Sequence, residues 1–311
     1  MAEADLRVKA ELADPPGRPW GEYLRPLAVA VLCLWLVCWA FSGVRANVPE
    51  LIQGAPQMAE TLGRMLPPDL TRVTDPAVYD KPTDVRFREL LLPVPLDAAR
   101  AQAKAYWWEN TFPQTIVGAT LQTIQMALAG TVLAVFAAFP LAFLGARNTT
   151  PHVAVYHVIK FVSNFLRTVP DFAVALVLVA AIGLGPFAGT LALAFHTATV
   201  LVKLFAEAIE GIDEGVVEAL RATGAGYGQV LSFAVLPQVM PAFISFLLYR
   251  FETNIRAAAV LGMIGAGGIG FLMVSDFRMF QYQQASMTVL VLIVLVMAVD
   301  YLSARLRSLV T

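Results

Sequence analysis

The groups able to do chemistry in this chain are few, and their spacing excludes more than it supports. His152, His157 and His196 are the only histidines, and Cys33 and Cys38 the only cysteines. No H-E-x-x-H pair or Cys/His cluster occurs at ligand spacing, so no zinc centre is expected. On one helix the two cysteines point about 140° apart and cannot bridge each other. The lysines at 9, 81, 104, 160 and 203 each follow a residue other than glycine, which rules out the phosphate loop G-x-x-x-x-G-K-[ST]. Residues 265–270, GAGGIG, match the pattern G-x-G-x-x-G, yet they lie between apolar runs and not in a βαβ unit. No nucleophile–base pair is evident. The expectation is a non-enzymatic chain with no metal or cofactor of its own.

What remains is a small set of polar residues inside apolar runs, where ionisable groups are costly and usually functional. The block 250–256, RFETNIR, is the densest. Counted from Pro237 at about 1.5 Å per residue, Arg250 lies about 20 Å and Arg256 about 28 Å along a helix, in the outer half of a bilayer. Two readings stand. Arg250, Asn254 and Arg256 line a path for an anion, whose oxygen pairs suit the guanidinium fork. Alternatively Glu252 and Arg256, four apart, pair structurally, and Arg250 and Asn254 share that spacing. His196 falls on one stripe with Lys203 and Glu207. It either lines the same path or bonds between helices, while Lys203 and Glu207 pair or reach the interface. Gly265, Gly267, Gly268 and Gly270 also read two ways. They let helices pack closely, or they break a helix and leave N–H groups free for an anion.

The elements that must hold these residues are membrane spans. The chain is 58% hydrophobic and 14% charged, with a mean hydropathy of +0.67 and a net charge of −1. Soluble domains carry about 25% charged residues. No basic tract suits nucleic acid. The fold class expected is all-α integral membrane, with six spans near 27–43, 115–143, 159–183, 189–209, 237–255 and 286–304. Arg7, Lys9, Arg18 and Arg25 put the tail 1–26 in the cytoplasm, and Arg305 and Arg307 put the C-terminus there too. A cleaved signal peptide over 1–43 fits less well, because the leading tail is long and mixes acids with bases. Residues 44–114 carry many prolines and both signs of charge, and read as an extracytoplasmic insertion or surface-lying helices. The core is then 115–307.

One cytoplasmic segment stands out. Residues 213–223, DEGVVEALRAT, form a short helix capped by Asp213 and Glu214. Val216, Val217 and Leu220 give it an apolar face, Ala219 and Ala222 keep it slim, and Gly224 and Gly226 supply positive φ where it ends. Pro237 opens the next span. An ordinary connecting helix is the plain alternative. The spacing adds to this. Glu218-Ala219, Gly224 and Leu236-Pro237 resemble the EAA loop of ABC-importer permeases, E-A-A, three residues, G, nine residues, I-x-L-P. Leu220 and Ala234 depart from it. In that family the loop is a coupling helix seated on the ATPase subunit, here 213–224, with Arg221 on it.

Further stretches resemble the permease subunit of bacterial phosphonate importers. They are GLGPFAGTL at 183–191, His196-Thr197, LPQVMP at 236–241, and LYRFETNIRAAAVLGMIGAGGIG at 248–270. Arg167-Thr168-Val169-Pro170 resembles the R-x-[IV]-P turn of related permeases and reads as structural. The resemblance covers about 110–307, and it does not extend to 44–114. It implies a type I ABC-importer permease fold working as a homodimer in the bacterial inner (plasma) membrane. Its implied partners are two cytoplasmic ATPase subunits carrying ATP and Mg, and an extracytoplasmic phosphonate-binding protein. Phosphite, phosphate or an amino acid such as methionine are alternative solutes. A membrane sensor or scaffold docking a cytoplasmic partner through 213–224 is the reading from another class.

Overall fold

The computed structural model describes residues 20–44, 48–74 and 95–309, and among them every regular element is helical. Most of the tail 1–26, the stretch 75–94 of the insertion and the link 45–47 lie outside the described residues. The chain divides into two units, Met1–Glu60 and Thr61–Thr311. In the first, α1 spans Trp20–Val44, and its stretch Pro26–Gly43 is apolar enough to cross a bilayer. Cys33 and Cys38 are free thiols on it. The next helix, α2 (Val48–Met65), places Ile52, Ala55, Met58 and Leu62 on one side and Glu50, Gln57, Glu60 and Arg64 on the other. That is the pattern of a helix lying on a surface.

The second unit contains the remaining helices. α3 (Ala98–Tyr106) runs into a π-helical turn, Trp107–Thr111, where buried Trp107 packs on Trp108 and Phe112. Thr115 then caps α4, Ile116–Gly145, by accepting from the Gly118 N–H at 2.9 Å. His152 caps α5, Val153–Arg167, by accepting from Ala154 through Nδ1. α6 is Asp171–Ile182, α7 Pro186–Glu210 and α8 Glu214–Ala222. α9, Leu236–Leu261, continues a turn at Tyr227–Val230 and a π-helical turn at Leu231–Val235. α10 is Gly268–Arg278 and α11 Tyr282–Arg307.

α4 and α7 form the axis of the bundle, parallel to each other and packed through small residues, Met126 lying beside Gly189 near their starts and Gly145 beside Ala206 near their ends. Ala134, Ala138 and Ala142 of α4 are buried with Leu201 and Phe205 of α7. A side chain at Gly130 would fall 2.9 Å from the Cβ of Leu193. Lipid tails are as apolar as leucine, so close approach of backbones, more than apolar burial, holds such helices together.

Two expectations about spans need correction. The span expected at 159–183 is not one helix: α5 and α6 meet at 84°. Pro170 is extended (φ −61°, ψ 139°) and caps α6, and a proline also disfavours helix at the residue before it. The RTVP turn is therefore this corner. The second correction concerns Pro237, which does not open its span. The helical rod starts at Tyr227 and runs without a break to the kink at Gly265, about 57 Å. The wider π-helical turn just before the proline absorbs its missing N–H, so the rod passes through it.

Candidate functional site

At one end of the bundle α8 is fixed as a projecting knob. Asp213 caps it through Oδ1 to the Gly215 N–H at 2.9 Å, and the Asp213 N–H donates to Gln238 Oε1 at 2.9 Å. Val217 is buried with Ile209, Val230 and Val235, with Leu220 and Leu236 packed against the same cluster. Val216, expected on that face, is 45% exposed instead. Glu218, Ala219 and Arg221 face outward. Gly224 ends the knob at φ +82°, its N–H bonded to the Arg221 carbonyl at 2.9 Å. Gly226 was expected at positive φ as well; it sits at −72° and starts the next turn, where its N–H donates to Gln229.

The base of the knob is tied to the loop after α4. Tyr227 donates to the Thr149 carbonyl at 2.7 Å, Asn148 to the Ile209 carbonyl at 2.6 Å, and the Arg147 N–H to Glu210 at 3.0 Å. Glu214, Glu218, Arg221, Asn148 and Tyr227 line a cavity of about 500 Å³ beside it. Among the coupling residues, Glu218, Ala219, Arg221 and Gly224 thus share the knob. Leu236 and Pro237 lie on the rod below it.

A second cluster occupies the middle of the bundle. Asn254 is 1% exposed, donates through Nδ2 to Thr131 Oγ1 at 2.8 Å, and accepts from Thr197 Oγ1 at 2.9 Å. Thr131 and Thr197 stand near the midpoints of α4 and α7, so Asn254 joins all three helices there. Arg250, 7% exposed, donates through Nη2 to Thr197 at 3.3 Å, and its Nε has no partner. The Nδ1 of His196, one residue along α7, is also buried without a partner. Asp171, at the corner where α6 begins, acts electrostatically on both Arg250 and His196. The four-residue spacing of Arg250 and Asn254 therefore becomes a contact through Thr197.

Arg256 does not join them. It is ion-paired with Glu252 and with Asp300 of α11 at 3.0 Å, and Glu252 also receives Arg307 at 3.4 Å. This is the structural pairing expected for Glu252 and Arg256, widened to four groups. Arg250 is level with the middle of the bundle, and Arg256 lies about 9 Å further from the Pro237 end. α4 and α7 have 30 and 25 residues, about 45 and 38 Å, so about 20 Å from the Pro237 end is their middle. Arg256 accordingly lies beside the C-terminal third of α11. On α7, Lys203 and Glu207 pair at 3.5 Å. Thr131, Asp171 and Asp300 were not singled out from the sequence, and Arg307 was read only as a marker of topology; the only signal was a polar residue inside or at the edge of an apolar run.

At the opposite end the glycine run breaks the rod. Gly265 (φ +100°) and Gly267 (φ +81°) take conformations that side chains disfavour, and α10 restarts at Gly268. The expected free N–H groups are partly spent. Gly268 donates to Gln122 Oε1 at 2.7 Å, Ile269 to Thr123 Oγ1 at 2.9 Å, and Gly185 to the Gly265 carbonyl at 3.1 Å. Close packing is also present: a Cβ on Gly270 would fall 1.8 Å from the Ala259 carbonyl oxygen. A cavity of about 570 Å³ opens here, lined by Gln122, Gly185, Gly267, Gly268, Ser275 and Asp276, among others.

A helical membrane bundle with a rigid knob at one end, a polar junction at its middle and a glycine-broken rod at the other end defines a transport component. Residues 130–310 match the family model described as binding-protein-dependent transport system inner membrane component, and the chain belongs to that family. It is 36% identical over 292 residues to the phosphite transport system permease protein PtxC of Stutzerimonas stutzeri, covering 94% of this chain and 91% of that one. It is 52% identical over 118 residues to the putative cryptic phosphonate transport system permease protein PhnE2 of Escherichia coli K12, covering 38% of this chain and 97% of that one. In structure it resembles a chain of the inward-facing MetNI methionine ABC transporter, with a TM-score of 0.56 and 19% identity over 63% of this chain and 96% of that one. The fold is that of the type I ABC-importer permeases. The chain is a multi-pass permease subunit of an ABC importer.

Proposed function

We propose that this permease carries small phosphorus oxyanions, phosphonates first, as the membrane part of an ATP-driven importer. The observation that carries the solute reading is Arg250. It is a buried guanidinium at mid-bundle that forms no ion pair among the described residues and keeps an unpartnered Nε. A buried cation with no carboxylate in contact is costly to keep, and a passing phosphonate oxygen pair would satisfy it. Relatives whose names specify phosphite and phosphonate support the same class. Asn254 and His196 would stand beside the path. Arg256 is assigned to structure, and the glycines Gly265, Gly267, Gly268 and Gly270 to the hinge and mouth of the path.

The energy comes from elsewhere. Two copies of the chain would present two knobs at 213–224 to two cytoplasmic ATPase subunits, which bind ATP and Mg. A binding protein would deliver phosphonate at the glycine end, and both termini would lie in the cytoplasm. Because α8 is tied to the α4 loop and to Gln238 on the rod, a push on Glu218 and Arg221 would move α4 and α9 together.

The test is uptake of labelled methylphosphonate in cells with and without the gene, with phosphate and phosphite as competitors. Loss on deletion that resists excess phosphate is expected. Unchanged uptake, in a strain with no second phosphonate system, rejects the solute. Glu218→Lys and Gly224→Asp should each abolish uptake while the protein still inserts and folds; full transport by both would reject the coupling role.

A further inference from the structure

We infer that Asp171 decides which oxyanions the path accepts. It takes a hydrogen bond from a hydroxyl on the solute, so the site selects tetrahedral monoanions that carry an O–H. This rests on the reading that the solute meets Arg250, and adds a second recognition group and a class of excluded anions.

The placement of Asp171 follows from packing. Ala175, one turn into α6, is fully buried in one cluster with Ala192 and Leu193 of α7 and Ala258 and Leu261 of α9. Residues four apart share a helix face. One turn from that apolar cluster, the same faces carry Asp171 on α6, His196 on α7 and Asn254 on α9, with Arg250 one turn further. The Val169 carbonyl, two residues before Asp171, acts on the His196 ring, which brings the start of α6 to the same level. Asp171 Oδ1 accepts from the Phe172 N–H at 2.8 Å and is thereby held in place.

The groups gathered there ask for different things. The buried Nε of Arg250 is a donor without a partner. A guanidinium only donates, and an ionised carboxylate only accepts. An oxyanion with no hydrogen would satisfy Arg250 but set its oxygens against the Asp171 carboxylate, acceptor to acceptor and like charge to like. An oxyanion that keeps one proton satisfies both, its ionised oxygens accepting from Arg250 and its hydroxyl donating to Asp171. Asp171 and Arg250 act on each other without forming an ion pair, as two groups on opposite sides of one ligand do. Arg167, at the end of α5, also acts on His196. Two cations and one acid leave one net positive charge, which suits a monoanion. The monoanions of methylphosphonate, phosphite and phosphate all carry a hydroxyl; sulfate at neutral pH carries none. A site built to bond a hydroxyl rejects an analogue that lacks it, because its own polar group is left unpaired.

The test uses the purified permease–ATPase complex in nanodiscs, without the binding protein, whose own specificity would otherwise decide. Labelled methylphosphonate is bound in slightly acidic buffer and displaced by methylphosphonate, dimethylphosphinate or sulfate. Dimethylphosphinate is a monoanion of similar shape with a methyl group in place of the hydroxyl. The parent should bind methylphosphonate at least about tenfold more tightly than either of the others. In Asp171→Asn, whose amide also donates, sulfate should gain at least about tenfold relative to methylphosphonate. Equal displacement by methylphosphonate and dimethylphosphinate in the parent overturns the inference, whether or not Asp171→Asn assembles. So does an unchanged ratio to sulfate in assembled Asp171→Asn. Binding that Arg250→Gln leaves intact, or a parent that binds no methylphosphonate, rejects instead the reading that the solute meets Arg250.

Discussion

The Nδ2 of Asn254 donates to Thr131 Oγ1 at 2.8 Å, joining the rod of α9 to the midpoint of α4. The same side chain accepts from Thr197, and the Thr131 hydroxyl itself donates to the Ala127 carbonyl at 2.6 Å. Every polar group of the junction between Asn254 and Thr131 is therefore engaged. Interhelical hydrogen bonds in membranes contribute about 0.6–2 kcal/mol each. Asn254→Leu keeps the volume and removes two, so it should cost about 1–4 kcal/mol, and more than Thr131→Val. Thermal unfolding in nanodiscs reads this. Equal stability of the two variants would mean that the junction is not shared as the geometry has it.

The ion network makes a prediction of rank. Glu252 is 15% exposed and receives both Arg256 and Arg307, whereas Asp300 receives Arg256 alone at a more exposed position. Exposed pairs contribute about 0–1 kcal/mol, and a less solvated acid with two partners contributes more. Glu252→Gln should therefore lower the unfolding temperature more than Asp300→Asn. The reverse order would mean that Asp300 holds partners beyond Arg256.

Much of this was legible beforehand, for identifiable reasons. The spans follow from apolar length, and the knob follows from Asp213, the Val217–Leu220 face and Gly224, all local signals. Arg167–Pro170 was read as a structural turn, but its 84° change of direction was not, because hydropathy does not register direction. Counting along α9 gave Arg250 a distance from Pro237, but that this distance brings it level with Thr197 of α7 shows only in the packed bundle. Spacing along α9 alone suggested that Arg250 and Arg256 act together. What separates them is the position of α7 and α11 on different sides of α9, and a single helix does not encode its neighbours.

Two glycines should respond oppositely to the same added methyl group. At Gly224 nothing lies within 4 Å of a new Cβ, and the cost is that of φ +82° alone, about 1 kcal/mol. At Gly270 the methyl would meet the Ala259 carbonyl oxygen, which is backbone and has no rotamer to yield. Gly224→Ala should fold and assemble. Gly270→Ala should force α10 from α9 and greatly reduce the yield of folded protein. Size-exclusion profiles in detergent distinguish the two, and a well-folded Gly270→Ala would show that α10 moves freely against α9.

Arg250 and Arg256 also separate on function. Arg250 meets α7 through one neutral hydroxyl, so its charge is available to an anion; the charge of Arg256 is taken by two carboxylates. Arg250→Gln removes the available charge and should reduce phosphonate uptake by at least tenfold, with Arg250→Lys recovering only part because ammonium lacks the planar fork. Arg256→Gln should reduce the amount of assembled importer. Uptake per assembled complex and the order of competition among methylphosphonate, phosphite and phosphate should stay as in the parent. Uptake normalised to complex in membranes decides. If Arg256→Gln changes the competition order while Arg250→Gln does not, the path runs along the α11 side of α9, and the assignment of the two arginines is inverted.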